Sequence, residues 1–394
     1  MCVQPQPILQ REILTPLTDW FHAASRDLPW RRDRSPWHVW VSEIMLQQTQ
    51  VNTVIPYYET FMARFPSCQD LAAAHLDDIL KLWEGLGYYS RAKNLWRGAN
   101  YVVNHHDGTV PDTYEELIKI PGIGDYTAGA ILSFAFDAPF PAVDGNVVRV
   151  IARLTNSPWT QGNAKDKQCA RSYVQNLLDH CPDQASLINE GLIELGALIC
   201  RPKVPECGRC PLHQNCSALI EGTAEELPLP KKSKKRPVED LTILVVRDNL
   251  SGRYPVRRRA PDGLLGGLWE FPYLDGHRSG EEVAVLLEDY GYETLDLRPL
   301  QPRRHIFSHL EWNMVGWAVS VKSMSLTDDP SSLIAPIIDG QELADHGIQY
   351  DDADYSFLTD PKDMDLIWVD AKELYEKAMA TAIAHFRDEA IGNI

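Results

Sequence analysis

Four cysteines, Cys200, Cys207, Cys210 and Cys216, fall within seventeen residues in the pattern C-x6-C-x2-C-x5-C. This crowding constrains the chain more than any other feature. The joining loops carry Pro202, Pro205, Gly208 and Pro211, so four thiolates can converge on one metal centre without a large scaffold. All-cysteine ligation serves structural zinc and a [4Fe–4S] cluster alike, and the ligand set leaves both open. Disulfides are the weaker reading, because nothing marks an oxidising compartment and Cys2, Cys68, Cys169 and Cys181 are scattered in the manner of ordinary thiols.

Residues 15–220, which the cysteine loop closes, read as amphipathic helical segments separated by Pro, Gly and Asp, without sustained alternation; an all-α domain follows. After Ser35-Pro36, an expected N-cap and first helical position, Trp37, Trp40, Val41, Ile44 and Met45 form an apolar stripe. Glu43 lies off that stripe and faces solvent or a cleft. Further on, Thr113 and Glu116 predict a capping box, then a short helix to Ile120, the turn Pro121-Gly-Ile-Gly-Asp125 and a second helix from near Tyr126. This is a helix-hairpin-helix signature. Gly122 and Gly124 let the backbone approach a phosphate, which the amides opening the second helix can bind without a cationic side chain. About twenty residues later, Asp144 stands where it would cap a helix running to Leu154, and the helix terminus is expected to keep it ionised.

At 394 residues with 44% hydrophobic and 24% charged, the chain is globular and long enough for two or three domains. No apolar stretch approaches the roughly 18 residues of a membrane span, and Met1 to Thr15 lacks a signal or presequence pattern, so a cytoplasmic, nucleoid-associated location in a bacterium, or a nuclear one in a eukaryote, is expected. A monomer is the default. The net charge of −17 argues against a nucleic-acid partner, but 16 acidic against 5 basic residues lie between Val321 and Ile394, leaving only −6 for the rest. Local basic groups, Arg31, Arg32 and Arg34, then Arg91, Lys93 and Arg97, then Lys231 to Arg236, read as phosphate contacts or solvated surface.

The Pro-bounded basic run of residues 227–237 divides a helical domain, 1–226, from an α+β domain, 238–394. The second domain opens with the strand Leu241 to Val246 and continues with a helix near Glu281 to Tyr290, a strand from Met314 to Val321 and an amphipathic helix from Ala371 to Ile391. The acidic stretch 327–365 is expected to be loosely structured.

The hairpin, the distant Asp and the four-cysteine loop together resemble the endonuclease III superfamily of DNA glycosylases. More specifically, Val41-Ser-Glu-Ile-Met-Leu-Gln-Gln-Thr-Gln-Val51, Trp83-Glu-Gly-Leu-Gly-Tyr-Tyr-Ser-Arg91, Pro141-Ala-Val-Asp-Gly-Asn-Val147 and Asn189-Glu-Gly-Leu-Ile-Glu-Leu-Gly-Ala197 resemble adenine DNA glycosylases of the MutY family. The resemblance implies a [4Fe–4S] cluster on Cys200, Cys207, Cys210 and Cys216, and double-stranded DNA with 8-oxoguanine·A or G·A mispairs as partner. It implies Glu43 as general acid, Asp144 as the charge opposite the sugar cation, and Tyr126 and Asn146 orienting them. Trp30, Arg31, Leu46 and Glu190 would line the adenine pocket. Gln48, Thr49, Leu86 and Tyr88 would meet the opposite strand, with Tyr88 as a wedge. Members that also nick the backbone carry a Lys where Tyr126 stands; a phenol forms no Schiff base, so base removal without efficient strand cleavage is expected.

Gly266-Gly-Leu-Trp-Glu-Phe-Pro272 and His305-Ile-Phe-Ser-His-Leu310 resemble the family's Nudix-like C-terminal domain, implying a lesion-reading loop of Phe307, Ser308 and His309. Residues 281–291 lack the R-E-x-x-E-E-x-G pattern that holds Mg²⁺, so a binding module and not a nucleotide hydrolase is expected. Two competing readings are a thymine or uracil mismatch glycosylase on the same scaffold, and an iron–sulfur DNA-binding or redox-sensing protein in which Glu43 and Asp144 are structural.

Overall fold

The computed structural model describes residues 7–231, 235–323 and 366–392. The chain divides into two compact units, Met1–Ile79 with Ser90–Ser233, and Leu80–Tyr89 with Lys234–Ile394. The division falls inside the basic run, close to the expected linker. The short excursion Leu80–Tyr89 was not legible in the sequence.

The first unit is helical: α1 (Pro7–Ala24), α2 (Pro29–Arg32), α3 (Pro36–Leu46), α4 (Val51–Arg64), α5 (Cys68–Ala72), the start of α6 (Leu76–Leu82), α7 (Ser90–His106), α8 (Tyr114–Leu117), α9 (Asp125–Phe136), α10 (Gly145–Leu154), α11 (Ala164–His180), α12 (Ala185–Leu198) and α13 (Ser217–Ile220). No helix among the described residues is long and apolar enough to cross a membrane. Trp37, Trp40, Val41, Ile44 and Met45 are all buried, as the stripe of α3 requires. Gly98 of α7 is needed where it crosses α3, since a Cβ there would lie 2.7 Å from the Trp40 ring.

Two caps differ from expectation. Ser35 and Pro36 occupy their positions, but the Ser35 hydroxyl makes no capping bond. Thr113 precedes α8 without a side-chain capping bond, and the Glu116 carboxylate pairs with Lys119 at 2.6 Å, so the box does not close. At the other end of α3, Arg91 is buried and its Nη1 donates to the Ile44, Met45 and Gln47 carbonyls at 3.0, 2.7 and 2.6 Å. It satisfies the last carbonyls of a helix and is not a phosphate ligand on the surface.

In the second unit, β1 (Val238–Asp248), β4 (Tyr273–Asp275), β5 (Tyr292–Ile306) and β6 (Glu311–Ser323) form a sheet of order β4-β1-β6-β5, with β1 parallel to β6. A smaller sheet, β3-β2-β7, combines β2 (Tyr254–Arg258), β3 (Trp269–Glu270) and β7 (Ile367–Val369). Helix α14 (Gly280–Asp289) begins with the capping box Ser279/Glu282. The expected Ala371–Ile391 helix is broken into α15 (Ala371–Glu376) and α16 (Thr381–Ile391). The break follows from Met379 bridging to Trp269, whose amide donates to the Ala378 carbonyl at 2.9 Å. The acidic stretch 327–365 lies outside the described residues.

Candidate active site

Helices α2, α3, α9, α10 and α12 of the first unit surround a cavity of about 760 Å³. Trp30, Arg31, Glu43, Leu46, Gln48, Thr49, Gly122, Gly124, Tyr126, Asp144, Asn146 and Glu190 all line it. Residues up to 168 positions apart in sequence meet here, as the ion pair between Arg26 and Glu194 shows. Glu43, off the apolar stripe of α3, faces this cleft and not bulk solvent; it is 7% exposed.

Tyr126, in the first turn of α9, donates its hydroxyl to Glu43 Oε2 at 2.6 Å. Burial dominates the titration of Glu43. Loss of hydration penalises the carboxylate, the Tyr126 bond opposes this, and the neighbouring Asp144 and Glu190 charges add to it, so the carboxyl is pushed up to about 7. With Oε2 engaged by Tyr126, the free proton of a neutral Glu43 rests on Oε1, an acid poised near physiological pH.

Asp144 caps α10: Oδ1 accepts from the Val147 amide at 2.8 Å and Oδ2 from Asn146 Nδ2 at 2.7 Å. Burial raises Asp144 above the usual carboxylate range, and the Val147 amide, Asn146 and Arg149 only moderate that rise. The difference between the two acids lies in their partners: Asp144 accepts from a backbone amide and a side-chain amide with the Arg149 charge nearby, whereas the hydrogen bond holding Glu43 comes from one phenol. Asn146 is itself fixed, since Arg149 Nη2 donates to its Oδ1 at 2.8 Å. Helix α12 packs against α10 here, with Arg149 Nη2 donating also to the Gly196 carbonyl at 2.9 Å, because Gly196 carries no Cβ, which would sit 2.6 Å from that of Asn146.

Trp30 packs edge-on against Tyr58 at 5.3 Å. Gly122 has φ +86°, and a Cβ there would meet that of Asn94 at 2.7 Å, so the hairpin turn demands glycine. Gly124 precedes α9 with open space around it, and no side chain caps the helix, leaving its first amides available to an anion. Gln48 holds φ +57°, a strained value for a residue with a side chain. Thr49 accepts from Arg91 Nη2 at 3.0 Å.

Some implied contacts lie outside this cavity, in the second unit. Tyr88 has φ +49° and is 45% exposed, as a wedge must be. Leu86 is buried, whereas the resemblance implied a place on the DNA surface. Phe307, Ser308 and His309 form the turn between β5 and β6, closed by Phe307 N to Leu310 O at 2.9 Å. Phe307 is packed against Trp312 at 4.9 Å, and Ser308 and His309 are exposed.

The cavity is also lined by Arg26, Ser42, Lys167 and Glu194, to which the sequence assigned no role, and by Arg34, expected as a phosphate contact or solvated surface. For Glu194 the signal was present, as an acid inside the apolar run Leu192 to Cys200, one helical turn from Glu190.

Cys200, Cys207, Cys210 and Cys216 are all partly buried free thiols, and Cys210 interacts electrostatically with the other three. Burial pushes the Cys210 thiol up to about 12 and raises those of Cys207 and Cys216. Arg153 Nη1 donates to Cys200 Sγ at 3.3 Å, placing a cation where bound thiolates would need one. Among the described residues, no three His, Cys, Asp or Glu are arranged to hold a single metal ion. Of the scattered cysteines, Cys68 and Cys181 are free, but Cys169 is disulfide-bonded, unlike the thiol expected.

A helix-hairpin-helix, a cavity with a buried carboxylic acid facing a capped aspartate, and a second α+β unit define a DNA base-excision enzyme. Residues 41–179 match the HhH-GPD superfamily of base excision DNA repair proteins, and residues 242–388 match the NUDIX domain. The chain belongs to the adenine DNA glycosylase family, hydrolases acting on N-glycosyl bonds. It is 34% identical to the rat adenine DNA glycosylase over 376 residues, 81% of this chain and 72% of that protein. It is 42% identical to the adenine DNA glycosylase of Buchnera aphidicola subsp. Schizaphis graminum over 262 residues, 66% of this chain and 74% of that one. Among solved structures, a thermostable thymine-DNA glycosylase aligns with TM-score 0.50 and 26% identity, covering 54% of this chain and 97% of its own.

Proposed function

We propose that the protein excises adenine mispaired with 8-oxoguanine or guanine, using Glu43 as general acid and Asp144 as the charge opposite the sugar cation. The observation that carries this is the buried Glu43–Tyr126 pair at 2.6 Å, in one cavity with Asp144. Adenine leaves poorly as an anion. A flipped adenine receives the Glu43 proton at N7 as the C1′–N9 bond breaks, and the base departs neutral. Asp144 faces the resulting oxocarbenium. Water then adds to C1′ and returns its proton to Glu43. Trp30, Arg31, Leu46 and Glu190 form the base pocket; Gln48, Thr49 and Tyr88 meet the opposite strand; Ser308 and His309 read the altered guanine.

Cys200, Cys207, Cys210 and Cys216 would hold a [4Fe–4S] cluster, for which their all-thiol donor set, mutual electrostatic reach and the Arg153 cation are suited. When bound, the cluster would brace the loop that follows α12.

The test is single-turnover base release from 8-oxoguanine·A, G·A, T·A and G·T duplexes. Fast release from the first, slower from the second and none from the others is expected. The likeness to a thymine-DNA glycosylase makes G·T the informative competitor, and thymine release there would discard the substrate assignment. Because Tyr126 replaces the Schiff-base lysine, borohydride should trap no enzyme on the product DNA. Should an adduct form, Lys167, exposed on α11 and lining the cavity, is the amine to replace.

A further inference from the structure

Arg31 and Glu190 belong to a larger ion cluster in the cavity wall. Glu194, 1% exposed, lies one turn beyond Glu190 on α12. Its carboxylate accepts from Arg26 Nε, Nη2 and backbone N at 2.8, 2.7 and 3.1 Å, and from Arg31 Nη2 and Nη1 at 3.2 and 3.4 Å. Arg31 divides itself, donating also to Glu190 at 3.0 Å and to the Arg26 carbonyl at 2.9 Å. Arg34 pairs with Glu190 at 2.8 Å and donates to Ser186 at 2.6 Å. Three guanidinium groups thus meet two carboxylates, a net charge of +1 beside the acid.

We propose that Glu194 is a positioning residue which, by clamping Arg26 and Arg31, sets the charge balance of the base pocket against which Glu43 holds its proton. The inference rests on Glu43 being the acid. The charged and titratable groups facing Glu43 are Tyr126 from α9, Asp144 at the head of α10, Glu190 from α12 and Arg31 from α2. Arg31 is the cation among them, and it favours the ionised form of Glu43. Glu194 both fixes the Arg31 guanidinium and offsets its charge. Burial alone would raise the Glu194 carboxyl, but the Arg26 and Arg31 bonds bring it down to about 2. Glu194 therefore acts as a fixed charge across the working range of pH, not as a proton donor. A buried carboxylate with one partner removed leaves the other charge uncompensated, so changes on the two sides of the pair should act in opposite directions.

The experiment is single-turnover adenine release from 8-oxoguanine·A duplex between pH 5 and 9, for the wild-type protein, Glu194→Gln, Glu194→Asp and Arg26→Gln. The wild-type rate should fall on the alkaline side near pH 7. Glu194→Gln unmasks Arg31 and should move that fall down by roughly one pH unit. Glu194→Asp, which keeps the charge, should leave it in place. Arg26→Gln removes a cation and should move it up. Shifts of opposite sign are not a result that general structural damage produces. Unmoved profiles in both Gln variants, or shifts in one direction, overturn the inference while leaving Glu43 as the acid. A wild-type rate with no alkaline fall overturns the role of Glu43 and this inference with it. If Glu194→Gln does not fold, Arg26→Gln decides the matter, since its side chain is one-third exposed and Arg31 still pairs with Glu194 at 3.2 Å.

Discussion

Glu43→Gln reduces single-turnover adenine release by about 10³-fold or more, within the range expected when a positioned acid is removed, while affinity for 8-oxoguanine·A duplex stays close to that of the wild-type protein. Gln accepts the Tyr126 hydroxyl as Glu does, so the 2.6 Å bond survives and only the proton is lost. Parallel loss of binding and release would make Glu43 structural and favour the DNA-binding reading. The wild-type rate should fall about tenfold per pH unit above about 7, because the protonated form of Glu43 is the active one, and should also fall on the acid side where Asp144, raised by burial, takes up a proton. Stability gives an independent check. A carboxyl whose folded pKa rises from 4.5 to about 7 favours the fold at low pH, and that contribution is lost as pH rises through about 7. The Gln variant should therefore melt at or above the wild-type temperature at pH 8, by up to about 3 kcal/mol in stability. Below pH 4 the advantage should vanish. A lower melting temperature for the variant at pH 8 would contradict a buried, reluctant acid.

Asp144→Asn should cost roughly 10²- to 10³-fold in release, the usual loss when a charge aimed at a transition state is removed. Asn caps helices about as well as Asp, so the Val147 amide bond at 2.8 Å can persist and thermal stability should change little. The same substitution removes a negative charge that raises the Glu43 carboxyl, so the residual activity should fall off at lower pH than in the wild-type protein. A full-rate Asn variant, or a rate loss explained by unfolding in thermal melts, would leave Asp144 as a cap alone.

The sequence by itself determined the local parts of this protein. The apolar stripe of α3, the glycine turn before α9, the Asp144 cap and the four-cysteine loop are set by neighbours a few residues apart, where backbone propensity and periodicity operate. Family-specific motifs added roles for Glu43 and Asp144. Only the tertiary structure decided what depends on groups remote in the chain. It placed Glu43 in a cleft instead of solvent and made burial outweigh the helix terminus at Asp144. It turned Arg91 inward to close α3 and broke the last amphipathic stretch at Met379 against Trp269. Above all it brought Arg26, Arg31 and Arg34 to Glu190 and Glu194, across more than 150 residues. Desolvation and charge pairing are properties of enclosed space, and a linear sequence specifies that space only once the helices have packed around it.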